Sequence, residues 1–171
     1  MTPALARAES LIRTIPDYPE PGVQFRDITP LLADAAALRA VIDAMIAPCA
    51  GTFDVVAGVE ARGFLLAGAV ATAADVGLVP IRKAGKLPRP AASVSYALEY
   101  GTATIEAHDD IPPGTRVLLV DDVLATGGTL QAAHELVPAL GGVVVATSVL
   151  LELVALGGRA LVPDTHTVFT V

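Results

Sequence analysis

The chain has 171 residues, a formal net charge of -7 and a hydrophobic content of 53%, whereas aromatic residues make up only 4%. This length fits one domain with a sizeable core, which must be built mainly of Ala, Val and Leu. The negative charge argues against a nucleic acid backbone as a partner. Cys49, the single cysteine, permits no disulfide within the chain. Arg7 and Glu9 stand where a signal peptide needs an apolar stretch, so we expect a cytoplasmic protein.

The order of the predicted elements indicates an α/β protein. Apolar patterns predict four helices, at residues 4–14, 34–48, 63–74 and 129–140. Short β-branched and leucine runs predict four strands, at residues 53–59, 77–82, 117–120 and 143–151. The longest apolar stretch, 63–74, is shorter than the about 20 residues that cross a bilayer, so no membrane partner is expected. The alternation is typical of a central, mostly parallel sheet flanked by helices.

Residues 84–107 interrupt this alternation. They contain Gly85, Pro88 and Pro90, followed by two alternating stretches, 92–100 and 102–107, on either side of Gly101. This pattern predicts a β-ribbon on a long loop outside the core. Long loops in small domains are often functional lids, so we expect a flexible lid over 84–107.

A pair of acids followed by a Thr-Gly-Gly-Thr turn is the most informative motif. Asp121 and Asp122 come at the carboxyl end of the strand at 117–120, where open α/β sheets bind their ligands. Residues 126–129 open a helix, whose first amides and positive dipole end favour a phosphate. Carboxylates repel a phosphate, so the acids should face hydroxyl donors or a divalent cation. A ribose 5-phosphate satisfies both requirements.

Other interpretations of this motif are less favourable. A strand that ends in acids before a glycine-rich turn also fits an ordinary loop with a helix cap, although the paired acids favour the phosphate site. The chain lacks the Gly-x-x-x-x-Gly-Lys-Ser/Thr pattern of nucleoside triphosphate sites. It also lacks a Gly-x-Gly-x-x-Gly pattern after a strand, so dinucleotide binding is unsupported.

A second anion site is predicted at Glu60-Ala61-Arg62-Gly63, where another buried strand ends and another helix opens. Arg62 offers a planar guanidinium suited to bidentate phosphate contacts, or it pairs with Glu60. The next strand is followed by a group of basic residues, Arg82, Lys83 and Lys86. This group is either a solvated face or a further contact for an anion. The histidines and the cysteine match no catalytic motif and are expected to be inert packing or surface residues: His108, His134, His166 and Cys49.

The segment from Val117 to Leu130 resembles the phosphoribosyl diphosphate motif of the type I phosphoribosyltransferases. Five further segments, in the same order, resemble the members of this family that act on adenine, at 15–19, 21–30, 58–64, 82–88 and 96–101. The similarity runs from about residue 10 to about residue 158. It implies one domain over 1–171, with a small hood at about 1–33 and the lid at about 84–107.

The resemblance implies transfer of the phosphoribosyl group to adenine, giving AMP and pyrophosphate in purine salvage. The 5-phosphate would bind at Ala125, Thr126, Gly127, Gly128 and Thr129. Pyrophosphate would bind at Glu60, Ala61, Arg62, Gly63, Arg82, Lys83, Lys86 and Tyr100. Adenine would stack on Phe25, with Gln24, Arg26 and Leu153 around it. The catalytic residues would be Glu99 as general acid/base, Asp121, Asp122 and Arg62.

The same resemblance implies a cis peptide between Glu60 and Ala61, a homodimer, and Mg²⁺ held mainly by substrate and water near Asp121 and Asp122. No direct protein ligand of the metal is assigned. Two alternative functions stay open at this point. One is a transferase for 6-oxopurines, and the other is a regulator that binds phosphoribosyl diphosphate without catalysis.

Overall fold

The computed structural model describes residues 1–97 and 101–171 of the chain. The predicted site residues Glu99 and Tyr100 therefore lie outside the described residues. The chain divides into two units, Met1–Ala44 and Met45–Val171.

The first unit contains short helices and a two-stranded antiparallel sheet. Its elements in chain order are α1 (Pro3–Ser10), β1 (Arg13–Pro16), β2 (Gln24–Asp27), α2 (Thr29–Ala33) and α3 (Ala35–Ile46), the last of which ends in the second unit. The predicted start of α3 is confirmed, because the carboxylate of Asp34 accepts a hydrogen bond from the amide of Ala37 at 2.9 Å.

The prediction of a helix over 4–14 is wrong beyond Ser10, where α1 ends. Residues 13–16 form β1 instead and pair with β2, so that Thr14 lies opposite Arg26. The β-branched side chains of Thr14 and Ile15 favour an extended backbone, and Pro16 cannot continue a helix. The pairing partner of Thr14 lies twelve residues further on, so the helical pattern alone could not reveal it.

The second unit is built on a seven-stranded sheet. Its elements are β3 (Val55–Val59), α4 (Gly63–Ala74), β4 (Gly77–Lys83), β5 (Ala92–Ala97), β6 (Thr102–Ala107), β7 (Arg116–Leu124), α5 (Gly128–Ala139), β8 (Val143–Glu152) and β9 (Thr165–Thr170). The strand order is β5-β6-β4-β3-β7-β8-β9. Four neighbouring pairs are parallel, namely β4-β3, β3-β7, β7-β8 and β8-β9. Strand β6 runs antiparallel to both β4 and β5. This confirms the predicted α/β fold with a central, mostly parallel sheet.

The β-ribbon is confirmed, but its predicted place outside the core is wrong. Strand β6 pairs with β4 and so continues the main sheet. Ile105 and Ala107 of β6 are buried and join the core cluster beneath α5. Alternation puts these two apolar side chains on one face, and that face is covered by a helix that comes later in the sequence.

Two further differences concern the strands near the acidic pair. β7 continues through Asp121 and Asp122 to Leu124, because it stays paired with β8 as far as Glu152. The acids therefore lie within the last residues of the strand. β9, which no sequence pattern predicted, completes the edge of the sheet beside β8.

The two helices of the second unit cover opposite faces of the sheet. Leu136 of α5 belongs to the same buried cluster as Val117 and Leu119 of β7. α4 packs on the other face, where Gly58 of β3 lies directly beneath Ala67. Among the described residues, no helix combines the length and the apolar character that a membrane span needs.

The contact between β3 and α4 predicts how substitution of Gly58 affects stability. A Cβ at Gly58 would lie 2.5 Å from the Cβ of Ala67, so Gly58→Ala should lower the free energy of unfolding by about 1 to 3 kcal/mol through overpacking. Gly68→Ala is the matched control, because a Cβ there meets no atom within 4 Å. Alanine in this helical position should be neutral or stabilising by up to about 1 kcal/mol. Urea unfolding of both variants measures this, and equal stabilities would contradict the packing.

Candidate active site

A cavity of about 330 Å³ lies at the carboxyl ends of the central strands. Its wall brings together the acidic pair, the Thr-Gly-Gly-Thr turn and parts of the predicted pyrophosphate site. The lining residues are Val59, Glu60, Lys83, Tyr96, Ala103, Ile105, Asp121, Asp122, Val123, Leu124, Ala125, Thr126, Gly127, Thr129 and Leu130.

The acidic pair is buried at this edge of the sheet. Asp121 is 7% exposed and Asp122 is 6% exposed, and the amide of Asp122 donates to Oδ1 of Asp121 at 2.8 Å. Burial, together with the neighbouring Asp122 carboxylate, raises the pKa of Asp121 well above its usual range. Gly63 allows α4 to begin against this pair, since a Cβ at Gly63 would lie 2.8 Å from Oδ1 of Asp121.

Arg62 links the predicted pyrophosphate loop to the acidic pair. Its Nη2 atom lies 2.7 Å from Oδ2 of Asp122, and the Arg62 side chain keeps 35% of its surface exposed. The loop that carries Arg62 follows β3, and Asp122 lies on β7, which is the parallel neighbour of β3. Two positions 60 residues apart in sequence are thus in direct contact.

Glu60 gathers the basic residues that follow β4. Its Oε1 lies 2.5 Å from Nζ of Lys86, and its Oε2 accepts from the amide of Lys83 at 2.9 Å and from Nε of Arg82 at 3.3 Å. The contact with Lys86 is the main reason why the pKa of Glu60 falls to about 2. The peptide bond between Glu60 and Ala61 is cis, as the resemblance implies.

The predicted 5-phosphate loop connects β7 to α5. Gly127 has a φ of 86°, a left-handed conformation that glycine adopts without strain, and α5 begins at the next residue, Gly128. The amides in the first turn of α5 have no carbonyl acceptor within the helix, so they are available to an anion. Thr126 is exposed at the tip of this loop.

Tyr96 is a residue of this site that the sequence interpretation did not assign. The hydroxyl of Thr129 donates to Oη of Tyr96 at 3.0 Å, and a Cβ on Gly128 would lie 3.2 Å from the Tyr96 ring. The alternating pattern of β5 was the available signal, because it places Tyr96 on the same face as the half-buried Val94. The ribbon thus contacts the 5-phosphate loop directly.

A second unassigned group supports the 5-phosphate loop from behind. A Cβ on Gly158 would lie 2.8 Å from the amide nitrogen of Gly127, so only glycine permits this approach. Arg159 holds the segment in place through an ion pair with Glu152 and a hydrogen bond to the carbonyl of Thr165 at 2.8 Å. Neither residue forms part of a recognisable motif.

The residues predicted to bind adenine lie in both units. In the first unit, Phe25 packs edge-on against Tyr18 with ring centroids 5.2 Å apart, and the guanidinium of Arg26 donates to Thr14. Gln24 is exposed at the start of β2. In the second unit, the amide of Leu153 donates to the carbonyl of Leu124 at 2.9 Å.

The residues predicted to be inert lie away from the cavity wall. Nε2 of His134 is 2.8 Å from the hydroxyl of Thr147, and Nε2 of His108 is 2.7 Å from the carbonyl of Pro88. Burial raises the pKa of the Cys49 thiol. Within residues 1–97 and 101–171, no group of three or more His, Cys, Asp or Glu side chains could hold a metal ion.

Comparison with known proteins identifies the family. The model of the phosphoribosyl transferase domain matches residues 26–170. The adenine phosphoribosyltransferase of Renibacterium salmoninarum is 59% identical over 152 residues, which cover 88% of this chain and 84% of that protein.

Solved structures agree with this sequence match. The crystal structure of adenine phosphoribosyltransferase from Rhodothermus marinus superposes with a TM-score of 0.93 at 49% identity and 98% coverage of both chains. The enzyme from Giardia lamblia, complexed with 9-deazaadenine, has a TM-score of 0.90 at 40% identity and 99% coverage of both chains. This chain therefore belongs to the phosphoribosyltransferase family and, within it, to the adenine phosphoribosyltransferases.

Proposed function

We propose that the protein transfers the 5-phosphoribosyl group from phosphoribosyl diphosphate to adenine, forming AMP and pyrophosphate. The observation that carries the proposal is the contact between Arg62 and the acidic pair beside the 5-phosphate loop. A sugar that carries a phosphate at one end and a pyrophosphate at the other fits between two such anion sites. The chain's 59% identity to an adenine phosphoribosyltransferase supports adenine as the acceptor base.

In this mechanism the bond between the anomeric carbon and pyrophosphate breaks while positive charge develops on the ribose ring. The 5-phosphate binds the amides and hydroxyls of residues 125–129, and this fixes the sugar. Asp121 and Asp122 accept hydrogen bonds from the ribose hydroxyls, and their negative charge stabilises the developing cation. Cationic and amide groups of the two neighbouring loops stabilise the leaving pyrophosphate, namely Ala61, Arg62, Gly63, Arg82, Lys83 and Lys86, with Tyr100 from the lid.

The base is held by groups that complement adenine. As the resemblance implies, Phe25 would stack on the purine, and Leu153 would be a further contact of the base. The main chain of Gln24 and Arg26 supplies one acceptor and one donor, which match the amino group and the neighbouring ring nitrogen of adenine. Glu99 takes the proton that the base loses as the new bond forms. A 6-oxopurine presents the reversed pattern and would leave these groups unsatisfied.

Magnesium fits the cavity wall, because carboxylate oxygens are the ligands that this hard cation prefers. Asp121 and Asp122 supply such oxygens at the cavity. They would approach the ion mainly through water and substrate. When bound, the metal offsets the negative charge of the pyrophosphate group.

The proposal extends to assembly and to the surrounding segments. The resemblance to the family leads us to propose a homodimer in the cytoplasm. Residues 1–33 would serve as the hood over the base, and the predicted lid at 84–107, without its buried strand β6, would close over the site, within one domain. Such closure would exclude water from the activated sugar.

A substrate panel tests the proposed reaction. With phosphoribosyl diphosphate and Mg²⁺, the protein should convert adenine to AMP with stoichiometric pyrophosphate, and it should leave hypoxanthine, guanine and orotate unreacted. Product analysis by chromatography separates the candidates. Turnover of hypoxanthine or guanine in preference to adenine would favour the 6-oxopurine alternative. Binding of phosphoribosyl diphosphate without turnover of any base would favour the regulator.

Asp121→Asn should separate activity from stability. The variant loses the negative charge beside the ribose, so kcat/KM should fall by about a hundredfold or more. Its melting temperature at pH 7 should be higher than that of the unaltered chain. The reason is that the substitution removes a buried charge whose pKa is raised by burial and by Asp122.

The pH dependence of stability gives the expected direction of the change, and Asp54→Asn is the control variant. Because the folded pKa of Asp121 is raised, wild-type stability falls as pH rises from the usual Asp pKa through the raised value, and Asp121→Asn lacks this loss. Asp54→Asn should behave oppositely, because Arg116 lowers the pKa of Asp54 to about 2 and the pair stabilises the fold at neutral pH. A lower melting temperature for Asp121→Asn at pH 7 would refute the assignment of a destabilising buried charge.

A further inference from the structure

The carboxylate of Glu60 occupies the place where an anion would be expected. It is the only acidic group with contacts to Lys86 Nζ and Arg82 Nε in the part of the chain that the structure describes. The Glu60 side chain is 7% exposed, whereas those of Lys86 and Arg82 keep 51% and 34% of their surface exposed. A buried anion thus lies beneath two cations that still face solvent.

The contacts of Glu60 divide into two kinds. The amide of Lys83 belongs to the backbone that continues β4, so its hydrogen bond to Oε2 fixes Glu60 to the sheet. Nζ of Lys86 lies at the end of a long, half-exposed side chain and bonds to the other oxygen, Oε1. An ammonium group has three donors and no fixed direction, so it can move to a second anion nearby.

We propose that Glu60 is an internal counter-ion of the pyrophosphate site, which holds Lys86 until pyrophosphate competes for it. The inference rests on the proposed function, because that function supplies the pyrophosphate. Pyrophosphate carries more negative charge than one carboxylate, and it therefore draws Lys86 away while Glu60 keeps its bond to the Lys83 amide. On product release, Glu60 recaptures Lys86. Glu60 is thus a positioning residue that weakens pyrophosphate binding.

The pair of Arg62 and Asp122 shows the same arrangement independently. There too, a cation of the pyrophosphate loop lies against an internal carboxylate, with Arg62 still 35% exposed. Each of the two loops of the pyrophosphate site therefore has a cation that is paired with a carboxylate. Cations held in this way keep a fixed orientation without substrate, and each releases one carboxylate when an anion arrives.

Calorimetric titration of inorganic pyrophosphate in the presence of Mg²⁺ tests the competition. Glu60→Gln keeps the shape of the side chain but removes its charge, so pyrophosphate should bind about fivefold more tightly, as expected when one competing charge-assisted hydrogen bond is lost. The kcat for AMP formation should fall if release of pyrophosphate limits turnover, while KM for phosphoribosyl diphosphate decreases. Unchanged or weaker binding in Glu60→Gln would overturn the inference, since a purely structural tie predicts weaker binding.

Two controls isolate the local effect. Asp54→Asn makes the same change in net charge at the amino end of the strands, where Asp54 pairs with Arg116 at 2.6 Å, and it should leave pyrophosphate affinity unchanged. In the double variant Glu60→Gln/Lys86→Gln, the gain from Glu60→Gln should disappear, because the ammonium group over which the anions compete is gone. A gain that persists in the double variant would contradict the role of Lys86.

A structure of the unaltered chain with pyrophosphate and Mg²⁺ tests the proposal without any substitution. Lys86 Nζ should contact a pyrophosphate oxygen and lie beyond hydrogen-bond distance from Glu60. Lys86 still bonded to Glu60 in that complex would refute the exchange. None of these binding measurements requires adenine. A protein that binds pyrophosphate as described but fails to convert adenine would therefore refute the proposed function alone.

Discussion

The ion pair between Arg62 and Asp122 is the interaction on which the site depends, because it joins the loop after β3 to the acidic end of β7. It forms only because these strands are parallel neighbours, with Gly58 opposite Val120. Their carboxyl ends then emerge side by side, and the start of α4 at Gly63 fits against Asp121 without a Cβ between them. The sheet thus holds a cation and two buried carboxylates within contact distance at one edge.

Internal pairing orders the basic groups of the proposed pyrophosphate site in a chain that is acidic overall. The chain carries a net charge of -7, yet three basic side chains follow one another at Arg82, Lys83 and Lys86. The carboxylate of Glu60 contacts the side chains of Arg82 and Lys86 and accepts a hydrogen bond from the backbone amide of Lys83. Tyr96 and Gly158 contact the predicted 5-phosphate loop from two other segments of the chain.

The sequence predicted those parts of the fold that have a local signal. Buried runs such as 117–120 and the apolar helix at 63–74 match β7 and α4, because burial on both faces leaves a continuous apolar pattern. The ribbon over 92–107 was predicted, but its place in the sheet was not, since that place depends on the pairing of β6 with β4. β9 escaped prediction for the same reason, because only pairing with β8 distinguishes it from a polar tail.

In the site, too, only features with a local sequence signal were predicted. The acids, the turn at 126–129 and Arg62 were predicted because residue type and spacing carry their chemistry. The partners of these residues were not, since the contacts of Lys86 with Glu60 and of Tyr96 with Thr129 join segments 26 and 33 residues apart. Gly158 gave no signal at all, because its role is the absence of a side chain against Gly127.

The coupling between the two halves of the site is the most direct test of this account. Ribose 5-phosphate should be titrated with and without saturating pyrophosphate, in the presence of Mg²⁺. In the proposed exchange, pyrophosphate takes Arg62 and releases Asp122 to the ribose hydroxyls. Pyrophosphate should therefore tighten ribose 5-phosphate binding by about tenfold, and ribose 5-phosphate should tighten pyrophosphate binding by the same factor. Independent or mutually weakening binding of the two ligands would contradict the exchange of partners at Arg62 and Asp122.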